Sequence, residues 1–168
     1  MAATDKIPLP FPAPFVSSVM RVEEAWIDYN GHLNMAYYNV LFDRAVDGFF
    51  ELVGVGRSYL QATSHTTFTA EAHVRYLREL HAGDKVRVSI RLLGYDSKRL
   101  HFFEELRHAD EGWLSATSEN MSLHVDMRAK KTAPFPGQIL ERLSEVTDAH
   151  ALLPRPTGLG RRIEMPQR

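Results

Sequence analysis

Between Asn34 and Val53 the chain carries a helix pattern with too little polar surface to stand alone in water. Tyr38, Leu41, Phe42, Ala45, Phe49 and Leu52 recur three and four residues apart, while Asn39, Asp43, Asp47 and Glu51 mark the opposite stripe. Met35, Tyr37, Val40, Val46, Phe50 and Val53 widen the apolar arc well beyond one face. A helix of this kind has to be wrapped on most sides. Asn34 has the chemistry of an N-cap and Gly54 that of a C-terminal stop.

What can wrap it follows directly in the sequence. Phe68, Ala70, Ala72, Val74 and Tyr76 alternate with Thr69, Glu71, His73 and Arg75; Val86, Val88, Ile90 and Leu92 alternate with Lys85, Arg87, Ser89 and Arg91. Leu100 to Arg107 and Trp113 to Val125 supply two more strands. The connections at 81–84, 95–98 and 109–112 are rich in turn residues, as hairpins require. Phe15 to Glu24 reads as a short strand ahead of the helix. Pro134 and Pro136 end the sheet, and Ile139, Leu140, Leu143 and Val146 share one face of a second helix. The expected fold class is α+β, with an antiparallel sheet curled around one long helix.

The flanks differ from this body. Pro8, Pro10, Pro12 and Pro14 make residues 1–14 an extended arm, and residues 151–168, rich in Pro, Gly and Arg, are expected to be a loosely ordered tail. Residues 15–150 form the folded domain, an ordinary length for one core. Twenty basic against twenty-one acidic residues give no electrostatic case for a nucleic-acid partner. No apolar run reaches the ~20 residues of a membrane span, and the N-terminus makes a poor signal peptide. With no cysteine, disulfides, thiolate metal sites and a cysteine nucleophile are excluded. The eight histidines lack metal-ligand spacing, so no metal is expected. The expected compartment is the cytoplasm.

Immediately before the long helix stands Asp28-Tyr29-Asn30-Gly31-His32-Leu33-Asn34. It brings a carboxylate, an amide and an imidazole to a helix N-terminus, where unpaired N–H groups and a partial positive charge favour an oxyanion. Asp, Asn and Gly are also turn formers by chemistry, so the same string describes a plain turn.

With that element order around it, Asp28-x-x-Gly31-His32 resembles the hot-dog fold of acyl-CoA thioesterases, over roughly Val19 to Pro136. The Asp-x-x-Gly spacing is similar to the 4-hydroxybenzoyl-CoA thioesterase branch, in which the matching aspartate is catalytic. Asp28-x-Asn30-x-His32-x-Asn34 also resembles the plant acyl-carrier-protein thioesterases, whose matching Asp, Asn and His are catalytic. Those enzymes carry a functional glutamate in a string like Arg78-Glu79, followed by a cysteine where this chain has Leu80. Hot-dog hydratases place aspartate and histidine five apart with an intervening proline; here they are four apart with none. Asp28-Tyr29-Asn30-Gly31-His32 resembles, in addition, stand-alone thioesterases of carnitine and betaine metabolism.

The resemblance implies hydrolysis of an acyl-CoA, with coenzyme A part of the substrate and no separate cofactor. It also implies a homodimer or a dimer of dimers, with the Val86 to Leu92 strand and its neighbours continuing the sheet across subunits. Asp28 is the expected central carboxylate, either as nucleophile or as base for water. Asn30 orients that water or donates to the oxyanion, and His32 acts as base or holds its neighbours. Backbone N–H groups from Leu33 to Ala36, around Asn34 and Met35, are the candidate oxyanion donors. Gly31 gives the loop its backbone freedom. Glu71 and Glu79, on the polar face of the second strand run, are candidates to reach a partner's Asp28. Arg128 and Lys130, after the last strand, are candidates for the CoA phosphates. Two alternatives stand beside hydrolysis: a non-catalytic acyl-CoA-binding module, and a hydratase or dehydratase of the same fold.

Overall fold

The computed structural model describes residues 11–166; the first ten residues of the expected arm lie outside it. The chain runs β1 (Phe15–Val16), β2 (Met20–Arg21), a 3-10 turn (Glu24–Trp26), α1 (Met35–Val53) and α2 (Arg57–Thr63). It continues through β3 (His65–Tyr76), β4 (Lys85–Tyr95), β5 (Arg99–His108), β6 (Leu114–Asp126), β7 (Lys131–Thr132) and α3 (Gly137–Ala151). The strands form one antiparallel sheet in the order β1-β4-β5-β6-β3, with β2 also on β4 and β7 on β6. This is the hot-dog arrangement of one sheet and one long central helix.

The helix forms where the periodicity places it. Asn34 Oδ1 accepts from Ala36 N at 3.0 Å, and Gly54, at φ +89°, turns the chain out of the helix. Its buried stripe is Tyr38, Leu41, Phe42, Ala45, Val46, Phe49, Phe50 and Val53, and it meets Val86, Val88, Ile90, Leu92, Leu100, Phe102 and Leu106 from the sheet. α3 closes the same face, with His150 stacked on Phe49. Asn39, Asp43 and Asp47 stay exposed, so the wrapping is less complete than the wide apolar arc implies. No helix of the described residues is long and apolar enough to cross a membrane.

Four details depart from expectation. The single strand over 15–24 is two short pieces, because the Ser17 hydroxyl takes the Val88 N–H at 3.0 Å and interrupts the ladder. α2 was not expected; it is seven residues long and buries none of them. In β3 the register shifts between Thr69 and Glu71, so Phe68 leaves the face shared by Ala72 and Val74 and is 61% exposed. β4 pairs on both sides, with β5 and with the short β1 and β2, which leaves β3 as the long strand with an unpaired edge among the described residues.

Candidate active site

The loop ahead of α1 is a narrow hairpin pinned on three sides. Ile27 bridges Leu33, Asp28 N donates to the His32 carbonyl at 3.1 Å, and Asn34 N donates to Trp26 O at 3.0 Å. Gly31 sits at φ +84° at the tip, a backbone shape that L side chains rarely adopt. Leu33 N donates to Leu80 O at 2.7 Å, tying the loop to the segment after β3. Leu77 N and Arg78 N in turn donate to Ser115 O at the start of β6. The sheet thereby fixes where the loop stands.

Within it, Asp28 Oδ1 accepts the Asn30 N–H at 2.8 Å, as in a tight turn. Among the described residues its second oxygen, the Asn30 amide and the His32 ring make no hydrogen bond. Asp28 and His32 are half-buried, Asn30 and Gly31 exposed. Of the backbone donors from Leu33 to Ala36, Leu33 and Asn34 are spent on carbonyls and Ala36 on the Asn34 cap. Met35 N, the first in the helix, donates to none of the described residues. It is left at the positive end of a 19-residue helix dipole, free to meet an oxyanion. The junction thus offers a carboxylate oxygen, an imidazole and one N–H donor. Groups of these kinds can draw a proton from water, or attack a carbonyl, and can stabilise the charge that develops.

The other expected residues divide. Glu79 lies in the loop after β3, not on the strand, one residue before the Leu80 carbonyl that holds Leu33; its carboxylate is 3.8 Å from the exposed His81 ring. Sequence proximity to the strand misplaced it, yet the tertiary contact brings it beside the hairpin. Glu71 faces the side of the sheet away from α1, in a recess with His101 and Glu119, which pair at 2.9 Å. Gly160 N from the tail also donates to Glu119, at 2.7 Å. Arg128 and Lys130 are exposed in the turn after β6, where Asp126 Oδ1 accepts from Arg128 N at 2.8 Å. That turn is at the other end of β6 from Ser115, roughly 40 Å away at the rise of an extended strand. Within one chain, then, neither Glu71 nor the basic pair joins Asp28.

A group that sequence reasoning passed over is Glu104. It is 1% exposed on the helix-facing side of β5, and Asn120 Nδ2 donates to its Oε2 at 2.9 Å. Burial holds its carboxyl well above the usual range; the Asn120 hydrogen bond opposes this and the nearby Asp43 charge adds to it. It borders a cavity of about 370 Å³ between α1 and the sheet, together with Asp43, Ser118, Asn120, Phe42 and Phe102. A signal for it existed. Leu100, Phe102, Glu104 and Leu106 alternate in one phase, which places a carboxylate on the core face.

Comparison with known proteins supplies names. Residues 22–143 match the model of the thioesterase-like superfamily. A betainyl-CoA thioesterase of Pseudomonas aeruginosa is 40% identical over 141 residues, 84% of this chain and 89% of that protein. An L-carnitine dehydrogenase/betainyl-CoA thioesterase of Rhizobium meliloti is 38% identical over 143 residues, 85% of this chain but 29% of that longer protein. A Staphylococcus aureus protein whose structure was solved in complex with CoA superposes at a TM-score of 0.83 and 30% identity, covering 91% of this chain and 96% of its own.

Proposed function

The chain belongs to the thioesterase-like superfamily and is an acyl-CoA thioester hydrolase, and we propose that it cleaves betainyl-CoA with Asp28 as the catalytic carboxylate. Water adds its oxygen to the acyl carbonyl carbon, the C–S bond breaks, and betaine and free CoA leave. The observation that carries the substrate is the identity with the Pseudomonas aeruginosa betainyl-CoA thioesterase along 89% of that protein.

The roles follow from the junction. Asp28, with one oxygen braced by Asn30 N and the other open, attacks the carbonyl or takes a proton from water. The developing oxyanion is met by Met35 N at the start of α1, a contact of a kind worth about 3 kcal/mol of barrier. Thiolate is a good leaving group, so no strong acid is required. Asn30 and His32 orient the water, and Glu79, held near by the Leu33–Leu80 bond, supports them. The enzyme works in the cytoplasm as a homodimer or dimer of dimers. The unpaired β3 edge and the exposed Phe68 favour such pairing, and it would also bring Glu71, Arg128 and Lys130 of one copy toward another's cleft.

Thiol release from a panel of short, long, aromatic and betainyl CoA esters tests this. Betainyl-CoA should be preferred, and Asp28→Asn should cut its kcat at least about a hundredfold with binding retained. Turnover that ignores the substitution would discard Asp28. Binding without turnover of any ester would turn the protein into an acyl-CoA-binding module.

A further inference from the structure

The cavity between α1 and the sheet contains a carboxyl that the hydrolytic steps do not use. Among the described residues, Glu104 Oε1 is one of two buried side-chain polar atoms without a hydrogen-bond partner, and it belongs to a residue that is 1% exposed. A role in folding does not call for that carboxyl. The Asn120 amide also donates to Ser118 Oγ at 2.9 Å, and an uncharged glutamine oxygen would receive it equally well. Around Glu104 the facing groups are Asp43 from α1, Ile90 from β4, Ser118 and Asn120 from β6, and Thr69 and Ala72 from β3. Asp43 is the other titratable group in that set, and among the described residues no Lys, Arg or His borders the cavity. Two carboxyls, one buried and one exposed at the rim, thus share a partly open cavity with no cation among the described residues.

We propose that this cavity receives the acyl end of the substrate, and that Glu104, with Asp43 at its rim, is the counter-charge that selects a compact cationic group such as a quaternary ammonium. The inference rests on the betainyl reading above and names the residues that would make it specific. A quaternary ammonium has no N–H to donate, so it is held by charge and by apolar contact. The unpaired Oε1 supplies the first, and the Phe42 and Phe102 rings supply contact for the methyl groups. Asn39, about 6 Å along the axis from Met35 at the helical rise, borders the same cavity. The cavity therefore begins one turn from the helix start, where the thioester carbonyl is to react, and a short acyl group spans that distance. Burial disfavours the charged form of Glu104, and a cation seated beside it would favour that form.

The test compares betainyl-CoA with its uncharged carbon isostere, 3,3-dimethylbutanoyl-CoA, on wild type, Glu104→Gln and Asp43→Asn. Wild type should favour the cation in kcat/KM. Glu104→Gln should shrink that preference at least about tenfold, by raising KM for the cation more than for the isostere; Asp43→Asn should do so less. A preference unchanged in Glu104→Gln, or no preference in wild type, would overturn the inference while leaving the thioesterase intact. A readout independent of turnover is thermal stabilisation by tetramethylammonium chloride against sodium chloride at equal ionic strength. Stabilisation of wild type but not of Glu104→Gln would support the cation site even if betainyl-CoA were not cleaved. Equal behaviour of the two proteins would remove it.

Discussion

At the scale of single residues, Glu104 carries a cost that its neighbours do not. Its raised carboxyl makes the unfolded chain the better place to ionise. The favourable contribution of the protonated side chain is complete below the unfolded pKa of about 4.3 and is lost as pH rises through the higher folded value. Glu104→Gln keeps an oxygen for Asn120 and removes that loss. The variant should be more stable than wild type without ligand, by about 1–3 kcal/mol at neutral pH and by less near pH 4, as measured by urea unfolding across pH. A variant less stable than wild type at every pH would mean that the carboxyl holds the core together. Glu104 was readable only from its phase within β5, whereas Asp28, Asn30 and His32 stood out because they cluster within a few positions. Clustering in sequence finds a local site. A site assembled from α1, β5 and β6 leaves only isolated polar residues in apolar registers.

At the scale of elements, the start of α1 joins stability to chemistry. The Asn34 side chain satisfies Ala36 N, and the free Met35 N–H lies between them. Asn34→Ala should cost about 1 kcal/mol in urea unfolding, with Asn34→Ser close to wild type. Because a frayed first turn misplaces the Met35 N–H, Asn34→Ala should also lower kcat more than it raises KM. A change confined to stability would detach the cap from the reaction. This helix was legible because nearly twenty residues repeat one period and both ends carry capping chemistry. β3 was legible as a strand but not in its facing, since the shift at Ala70 has no signature in residue type and moves Phe68 to the opposite side. α2 buries no side chain, so no periodicity marked it.

At the scale of the whole molecule, two fully buried histidines fasten the periphery to the body, and burial disfavours the charged form of both. Leu92 N donates to His150 Nδ1 at 2.9 Å, and His150 Nε2 donates to Pro12 O at 2.8 Å, joining α3 to β4 and to the segment before β1. His124 Nδ1 donates to Ala133 O at 2.8 Å and its Nε2 receives the Tyr59 hydroxyl at 3.0 Å, joining β6 to α2 and to the chain beyond β7. His150 Nδ1 accepts a backbone N–H, and a second proton would remove that bond; at His124 the Tyr59 hydroxyl can turn to accept, so the cost there is that of a buried charge. Burial is the main cause holding both rings below the ordinary imidazole pKa, against the pull of their carbonyl partners. With folded pKa values depressed, the unfolded chain binds more protons. The stabilising contribution is therefore full above the unfolded value of about 6.5 and falls away as pH drops through the folded values. Each proton taken up on unfolding is worth about 1.4 kcal/mol per pH unit, so the pair should steepen the loss of stability below pH 6.5. Glu104 and Asp43 act with the opposite sign, and the Glu104→Gln background removes the more strongly shifted of the two. There the melting temperature should fall on acidification from pH 7 to pH 5, and His150→Gln, whose amide can accept and donate in the same places, should flatten the fall while lowering the plateau. A melting temperature level across that range would mean that these links give way without taking up protons.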